Sequence, residues 1–416
     1  MIIKMLGGCR EVGRSAIELQ GEKNFILDYG IDPDEPKVPI APKKADAVFL
    51  SHSHLDHCGL LPSLVRKFGC PSYLTPVSAD ITKLLLLDSI KIARINQKPS
   101  FFNKRDIDFM KRHEEYVTFG QEIDIGKSTV KFISSGHIPG SFFTLVESEG
   151  KRILYTSDFN TNNTRLLKGA DARQLKNIDV LITESTYSSR DHPVRNQVEN
   201  NFMEAIKNSV YNDGVALIPS FAVGRAAELL LVIDSFNPDF PVYLDGMAKK
   251  ATQIDLNYPE FLRDHKALQR AYDNVTPIGS SMERKKIVKN PCAIVTTGGC
   301  LDGGPVVQYL RHLWNDEKSS LNFTGFQIPG TAGRYLLDSG HYVTEDGMDL
   351  KLKMKINHFD FSAHSGRTDL FEFIKNVKPS KVLCVHGDNC QRFATEIRGR
   401  FGIPASAPKN GDKIKV

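Results

Sequence analysis

The segment Ser51-His52-Ser53-His54-Leu55-Asp56-His57 decides how this chain is read. It puts three histidines and one aspartate into six positions, directly behind the apolar run Ala47-Val48-Phe49-Leu50. That run suits a short buried strand. Beyond the segment, Gly59–Lys67 has helical spacing, with Leu60, Leu61, Leu64 and Val65 on one face. A strand-to-helix junction carrying this density of imidazole and carboxylate exceeds what packing requires, and the donor set suits zinc. His52 and His54 are two apart, so in an extended loop they point to one side, leaving Asp56 and His57 to turn towards a second ion. A solvated histidine-rich turn is the plain alternative; it fits poorly behind a buried strand.

Further donors stand at the ends of other expected strands. His137 lies in Gly136-His137-Ile138-Pro139-Gly140-Ser141, Asp158 in Tyr155-Thr156-Ser157-Asp158-Phe159, and His386 in Cys384-Val385-His386-Gly387-Asp388. The strands expected before them are Thr129–Ile133, Ile153–Thr156 and Val382–Val385. Singly, each is an ordinary strand-end residue. Together they supply two three- or four-ligand sets sharing a carboxylate, the arrangement a two-metal hydrolase uses to activate water and neutralise charge on a transferring phosphate.

Length and composition bound the rest. A chain of 416 residues exceeds one ordinary core and suits two domains or one with a large insertion. With 41% hydrophobic and 25% charged residues it is neither disordered nor membrane-embedded. No apolar run reaches the roughly 18 residues of a spanning helix, and MIIKMLGGCREVG lacks the features of a signal peptide. Seven scattered cysteines without a CxxC pair argue against a disulfide framework and for a reducing cytoplasm. Short strands such as Met1–Leu6 and Asn24–Asp28 dominate the start. An alternating pattern follows from about Ser188: helix Gln197–Ser209, strand Ala216–Pro219, helix Gly224–Ile233, and strands Val242–Leu244 and Ala293–Thr296. Near Lys355 the first style returns, so an α/β domain interrupted by an inserted α/β domain is expected.

The motifs HSHLDH, GHIPGS and YTSDF resemble the metal motifs of the metallo-β-lactamase fold, an αββα sandwich. Thr183-Glu184-Ser185-Thr186-Tyr187, IPSFAVGRAAELL (Ile218–Leu231), VYLDGMAKKAT (Val242–Thr252), TTGGCLDGGPVVQYL (Thr296–Leu310), FTGFQIPGTAGRYLL (Phe323–Leu337), FDFSAHSGRTDL (Phe359–Leu370) and VLCVHGD (Val382–Asp388) are similar, in order, to segments of the β-CASP nucleases. The likeness covers almost the whole chain and is greatest to short archaeal homologues of the endonuclease subunit of cleavage and polyadenylation specificity factor. It implies a catalytic domain in two parts, 1–185 and 356–416, and a β-CASP insertion, 186–355.

It also implies roles, residue by residue. His52, His54, His137 and Asp158 would hold one zinc, and Asp56, His57, Asp158 and His386 the other, with Asp158 bridging. Asp28 would orient the site without binding metal; a turn aspartate is its plain alternative. His364 would be the general acid that protonates the departing 3′ oxygen, with Glu184 holding it protonated. The chain departs from the commoner family pattern at Thr297-Gly298-Gly299-Cys300, where serine and methionine are frequent, which touches RNA holding and not metal chemistry.

Candidate RNA contacts rest on weaker signals. Gly298, Gly299, Gly303 and Gly304 would let backbone N–H groups approach a phosphate, or simply make tight turns. Arg225 opens a helix whose N-terminus favours an anion, or is a structural partner. The net charge of +5 is uneven: residues 186–355 carry 19 Lys+Arg against 20 Asp+Glu (19 − 20 = −1), and the remainder 35 against 29 (35 − 29 = +6). Lys91–Arg112 is the most basic stretch, including Lys98, Lys104 and Arg105 around Phe101-Phe102. Such residues track a phosphate backbone and stack bases, or form a solvated face with an aromatic anchor. Arg284-Lys285-Lys286 and Lys249-Lys250 are lesser candidates.

The expected function is a zinc-dependent ribonuclease, cutting single-stranded RNA internally in 3′-end processing or turnover. A 5′→3′ exonuclease of the same family is the runner-up. A DNA-processing relative is disfavoured by His386, since DNA-acting members tend to have valine there. A non-catalytic scaffold is disfavoured because every ligand is present, and a small-ester hydrolase because it has no use for the insertion. No appended RNA-binding module is expected, so recognition falls to the cleft or to other RNA-processing subunits. The tail Ile403–Val416 would pair with a second subunit in a homodimer, or close the fold as an edge strand.

Overall fold

A computed structural model describes residues 1–32, 37–344 and 347–416. Two compact units result. The first comprises Met1–Asn163, Leu167–Asp191 and Ala363–Val416; the second comprises Thr164–Leu166 and His192–Ser362. The divisions fall after Asp191 and after Ser362, where sequence places them after residues 185 and 355.

Two seven-stranded sheets build the first unit. One runs Lys413–Lys415, Ile2–Gly7, Ala16–Gln20, Asn24–Leu27, Ala47–Phe49, Ser72–Leu74, Glu114–Tyr116 across the sheet. The other runs Ala405–Ser406, Lys381–Val385, Val180–Glu184, Lys151–Tyr155, Phe142–Ser148, Ser128–Ser134, Glu122–Ile125. Alternation sorts their side chains between two faces. Ile17, Leu19, Phe25 and Phe49 meet Val130, Phe132, Val146 and Ile182 in a core between the sheets. Phe49 joins the layers, its ring centroid 5.5 Å from Phe25 and 6.0 Å from Phe132. The opposite faces are covered by helices. Ala16, Ile26 and Val48 lie under Leu61–Phe68, Pro76–Ile95 and Lys104–Lys111, while Leu154, Leu181 and Val382 lie under Arg367–Val377 and Cys390–Phe401. The layering is helix, sheet, sheet, helix.

The tail closes its own chain. Ala405–Ser406 pairs with Lys381–Val385, and Lys413–Lys415 pairs antiparallel with Ile2–Gly7, Ile414 opposite Ile3. Of the two readings open from sequence, the edge strand is the one observed.

In the second unit all strands of a six-stranded sheet are parallel, in the order Thr276–Pro277, Val242–Asp245, Cys292–Thr297, Val215–Ser220, Ser320–Phe323, Lys355–His358. Both faces are covered, as parallel sheets require. Val306, Tyr309, Leu310 and Leu336 pack on Leu217, Ile294 and Phe323 on one side. Helix Arg195–Val210 closes the other, where Ser209 donates to Ser320 (2.7 Å). All seven cysteines are unpaired, and among the described residues no helix is long and apolar enough to cross a membrane.

Candidate metal centre

Most of the cluster's side chains stand just beyond the end of a strand of the first unit. Asp28 follows Asn24–Leu27, and His52 follows Ala47–Phe49. His137 follows Ser128–Ser134, Asp158 follows Lys151–Tyr155, Glu184 ends Val180–Glu184, and His386 follows Lys381–Val385. The strands within each of these groups run parallel or are linked through an antiparallel neighbour, so their carboxyl ends collect at one edge. His54 precedes, and Asp56 and His57 lie within, a one-turn helix, Leu55–Cys58. Gly30 fixes that turn: Tyr29 N–H donates to the His57 carbonyl (2.8 Å), and a Cβ on Gly30 would lie 1.7 Å from the Asp56 carbonyl oxygen.

The structure brings the sequence-predicted donors into two overlapping groups, His52–His54–His137–Asp158 and Asp56–His57–Asp158–His386, each with its ligand atoms within 4.8 Å of one another. In the first, His54 Nδ1 lies 3.1 Å from His52 Nε2 and 3.2 Å from His137 Nε2. A single oxygen, Asp158 Oδ2, is 3.6 Å from His52 Nε2, 3.7 Å from His137 Nε2 and 3.5 Å from His57 Nε2. In the second, Asp56 Oδ2 is 3.6 Å from His57 Nε2 and 3.1 Å from His386 Nε2.

These residues fit a bound divalent ion. Nitrogen and oxygen ligands held tetrahedrally at about 2.0–2.2 Å stand roughly 3.3–3.6 Å apart, close to the spacing observed. In the second group burial opposes charge, but the carboxylates, Asp158 foremost, raise His57 well above and His386 above the ordinary histidine value, so each must give up a proton to ligate. In the first group the proton inventory agrees. His137 Nδ1–H donates to the Ala363 carbonyl (2.9 Å), leaving the Nε2 lone pair pointing inward. Ser51 Oγ sits 3.0 Å from His52 Nδ1 and occupies it likewise. A proton on His54 Nδ1 satisfies only one of the two lone pairs it meets. Burial pushes His52 and His137 well below the ordinary histidine value and His54 to about 4, so these rings are neutral and ready to ligate. Burial works against charge on Asp158 too, but His386 and His57 outweigh it and hold the carboxylate well below its usual range. Asp158 Oδ1 is buried without a hydrogen bond, its near neighbour being His386 Nδ1 at 3.3 Å, so its lone pairs are available to a cation.

Asp28 is fully buried and saturated with donors: Ser51 N–H (2.7 Å), Ser51 Oγ (2.8 Å), Tyr155 OH (2.8 Å) and His57 Nδ1 (2.8 Å). It fixes His57 with Nε2 facing the two aspartates. Asp28, Ser157 and His386 all have positive φ (57°, 50° and 49°), so three residues of the site carry backbone strain. Ser51, Tyr155 and Ser157 were missed as site residues from sequence, although each adjoins or lies inside a quoted motif.

Beside the cluster stands an acid pair. His364 Nδ1 lies 3.0 Å from Glu184 Oε2 and 3.2 Å from Oε1, and Oε1 also accepts from Phe159 N–H (2.7 Å). Ser365 N–H donates to the Phe159 carbonyl (2.8 Å), which holds His364 against the residue after Asp158. Its ring centroid is 4.6 Å from that of His137. Burial disfavours the imidazolium, yet the Glu184 carboxylate, aided by Asp158 and Asp56, raises His364 to about 9. Glu184 itself is fully buried.

The candidate RNA contacts divide between the two units. Lys98, Lys104 and Arg105 are exposed on the first unit, with Phe102 buried as a core anchor and Phe101 half-exposed. Arg225 Nη1 donates to the Thr324 carbonyl (2.6 Å), the structural tie left open from sequence. Gly298, Gly299, Gly303 and Gly304 form the loop between Cys292–Thr297 and helix Pro305–Leu313, where a Cβ on Gly298 would come 2.3 Å from the Gly303 carbonyl oxygen. Arg284, a lesser candidate, is bound bidentately to buried Asp245 (2.6 and 3.1 Å), and that role is structural.

Three family descriptions match the chain: a metallo-β-lactamase superfamily domain over 14–199, a β-CASP domain over 226–336, and a Zn-dependent metallo-hydrolase RNA specificity domain over 349–408. "Probable RNase MJ4" of Methanocaldococcus jannaschii is 39% identical, covering 100% of both chains. "RNase aCSPSF2" of Saccharolobus solfataricus is 36% identical over 100% of this chain and 85% of its own. "Transcription termination factor FttA" of M. jannaschii is 34% identical over 100% of this chain and 71% of its own. A crystal structure of a protein of unknown function from Enterococcus faecalis V583 superposes with TM-score 0.62 over 99% of each chain at 14% identity, a likeness of fold alone.

Proposed function

Because the chain belongs to the β-CASP family of metallo-β-lactamase-fold proteins, whose metal-dependent hydrolases include the archaeal RNases it matches, we propose that it is a zinc-dependent ribonuclease cutting single-stranded RNA internally. One observation carries this reading: Asp158 Oδ2 is common to two buried ligand groups, with the His364–Glu184 pair alongside.

His52, His54, His137 and Asp158 would hold one zinc, and Asp56, His57, Asp158 and His386 a second. When bound, the ions supply Lewis acidity toward the scissile phosphate and a water acidic enough to attack at neutral pH. The protein's own residues do the rest. Asp28 keeps the proton of His57 on Nδ1, so Nε2 stays available. Glu184 engages His364 Nδ1 and favours its protonated form, leaving Nε2–H to pass a proton to the departing 3′ oxygen. Without that proton an alkoxide would have to leave near neutral pH.

We extend the proposal to a cytoplasmic location, to a role in RNA 3′-end processing or turnover, and to partners: other RNA-processing subunits and a second copy of this chain. The tail strands are the edges of both sheets, each paired on one side, so a homodimer can form along them or elsewhere, which light scattering and cross-linking can map. Two measurements test the activity. Purified protein should carry about two zinc ions per chain. Internally labelled RNA blocked at its 5′ end should yield discrete internal fragments. Loss of all cleavage on blocking the 5′ end would replace the endonuclease with a 5′→3′ exonuclease.

A further inference from the structure

Three neighbouring parallel strands of the second unit, Cys292–Thr297, Val215–Ser220 and Ser320–Phe323, send their loops out at the same carboxyl edge. Two of these loops carry phenylalanines facing solvent, Phe221 at 38% exposure and Phe326 at 50%. An exposed aromatic is ordinary when it merely lies on a surface. Phe221 is different, because its ring is built in. A Cβ on Gly325 would lie 3.0 Å from Phe221 Cε2, and a Cβ on Gly299 would lie 3.6 Å from Cδ1. Neither glycine has a positive φ, so the backbone conformation does not demand glycine at either position. At Gly325 the demand is space for the ring.

The frame around the ring is equally fixed. The buried side chain of Gln327 donates from Nε2 to the Gly299 carbonyl (3.0 Å), with the carbonyls of Gly325 (3.3 Å) and Phe326 (3.4 Å) also in reach. His358 Nε2 lies 3.0 Å from the Gly325 carbonyl oxygen, and Arg225 binds the Thr324 carbonyl at 2.6 Å. The Phe221 ring is thus packed in place at the mouth of a parallel sheet, and the backbone that carries Phe326 is tied down next to it, with Arg225 bound to the same loop. Ligands of open parallel sheets bind beyond the carboxyl ends of the strands.

We propose that Phe221 and Phe326 form a stacking platform for unpaired bases of the substrate RNA, positioning the strand through its bases and not its phosphates. The inference rests on the ribonuclease reading and adds to it a base-recognition site within the second unit. A ring packed in place, as Phe221 is, favours stacking because little freedom is lost on binding, and every base offers a π-face. The platform therefore favours single strands without reading their sequence.

The test uses the full metal-loaded chain and two phosphorothioate-linked probes that resist cleavage: an oligouridine and an abasic ribose-phosphate of equal length and charge. Wild type should bind the oligouridine roughly tenfold or more tighter than the abasic strand. Phe221→Ala and Phe326→Ala should each close most of that gap, while Phe221→Trp should keep it. Phe326 is the more exposed ring, so its variant reports even where Phe221→Ala disturbs the loop. An unchanged gap in both alanine variants overturns the platform, as does an unchanged gap accompanied by loss of a protein partner. Wild type that neither binds nor cuts RNA overturns the ribonuclease reading with it. Wild type that cuts RNA while the gap ignores both rings sinks the platform alone.

Discussion

Asp158 Oδ2 is the one atom on which both ligand groups depend, but the residues with the most diagnostic chemistry stand next to it. His364 is partly buried, packs its ring near His137 and forms with Glu184 and Asp158 a third group of side chains within 4.8 Å, but it provides no atom to either of the two groups described above. Replacing it by alanine should slow cleavage by about 10²–10⁴-fold while zinc content, measured by atomic absorption, stays at the wild-type level. A variant cutting at wild-type rate would remove His364 from the mechanism. Glu184→Gln sharpens the point through pH. The imidazolium is raised to about 9, so its proton is in place below that value and the rate should fall as pH rises through it. The glutamine keeps an acceptor for Phe159 N–H but removes the charge, and burial then acts on His364 against Asp158 and Asp56 alone. The alkaline limb of kcat should therefore move to lower pH; an unmoved limb would assign it to another group. Asp28→Ala tests the opposite kind of residue. It strands buried donors from Ser51, Tyr155 and His57, costing about 1–3 kcal/mol for each group left unpaired, and it should weaken zinc binding by roughly 10–100-fold. Unchanged affinity in a chelator competition would leave Asp28 a purely structural turn residue. The histidines and aspartates were legible in sequence because so dense a donor set has few other uses. Ser51 and Tyr155 were not, because a hydroxyl aimed at a buried carboxylate looks like any other serine or tyrosine.

Elements were legible where burial is one-sided or complete. Val215–Ser220, Cys292–Thr297 and Lys381–Val385 match the expected strands within a residue or so, because wholly apolar short runs have few alternatives. Helix Pro76–Ile95 was not recognised, although Thr75 caps it by accepting from Ser78 N–H and Pro76 sits at its first position. Its last turns leave Ile92 and Ile95 exposed beside Lys91 and Arg94, so no clean amphipathic stripe marks it. The arginines stayed open for a related reason: a cation at a helix start or in a basic run looks the same whether it faces solvent, as Arg105 does, or a carboxylate, as Arg284 does. The tail carries this scale's prediction. Ile414 faces Ile3 and packs against the core between the sheets, with lysines on either side guarding the edge. Ile414→Asp places a charge against that core and should cost about 1–3 kcal/mol, read as a lower denaturation midpoint. An unchanged midpoint would mean the strand contributes nothing to holding the sheets.

At the scale of the whole molecule, the donors are distributed unequally. All seven proposed ligands, with Asp28, Glu184 and His364, belong to the first unit, and the second unit contributes none of them. The two units also have separate cores, one between paired sheets and one over a parallel sheet. Ion binding favours only the folded form of the unit that holds the site, so its stabilisation must fall there; at a free ion concentration about 100 times Kd it amounts to about 2.7 kcal/mol. The folded metal-free site adds to the effect, since its buried carboxylates and imidazoles meet with unsatisfied lone pairs. Thermal unfolding with and without a chelator should resolve this. Chelation should lower the transition reported by the first unit, which lacks tryptophan, and leave nearly in place the one reported by Trp314 in the second. Fluorescence of that single tryptophan thus separates the units without mutation. If chelation lowers the Trp314 transition by the same amount as the loss of far-ultraviolet dichroism, the units unfold together and the metal stabilises the whole chain. If it moves neither, the cluster at Asp158 binds no ion strongly enough to matter, and the two-zinc proposal falls.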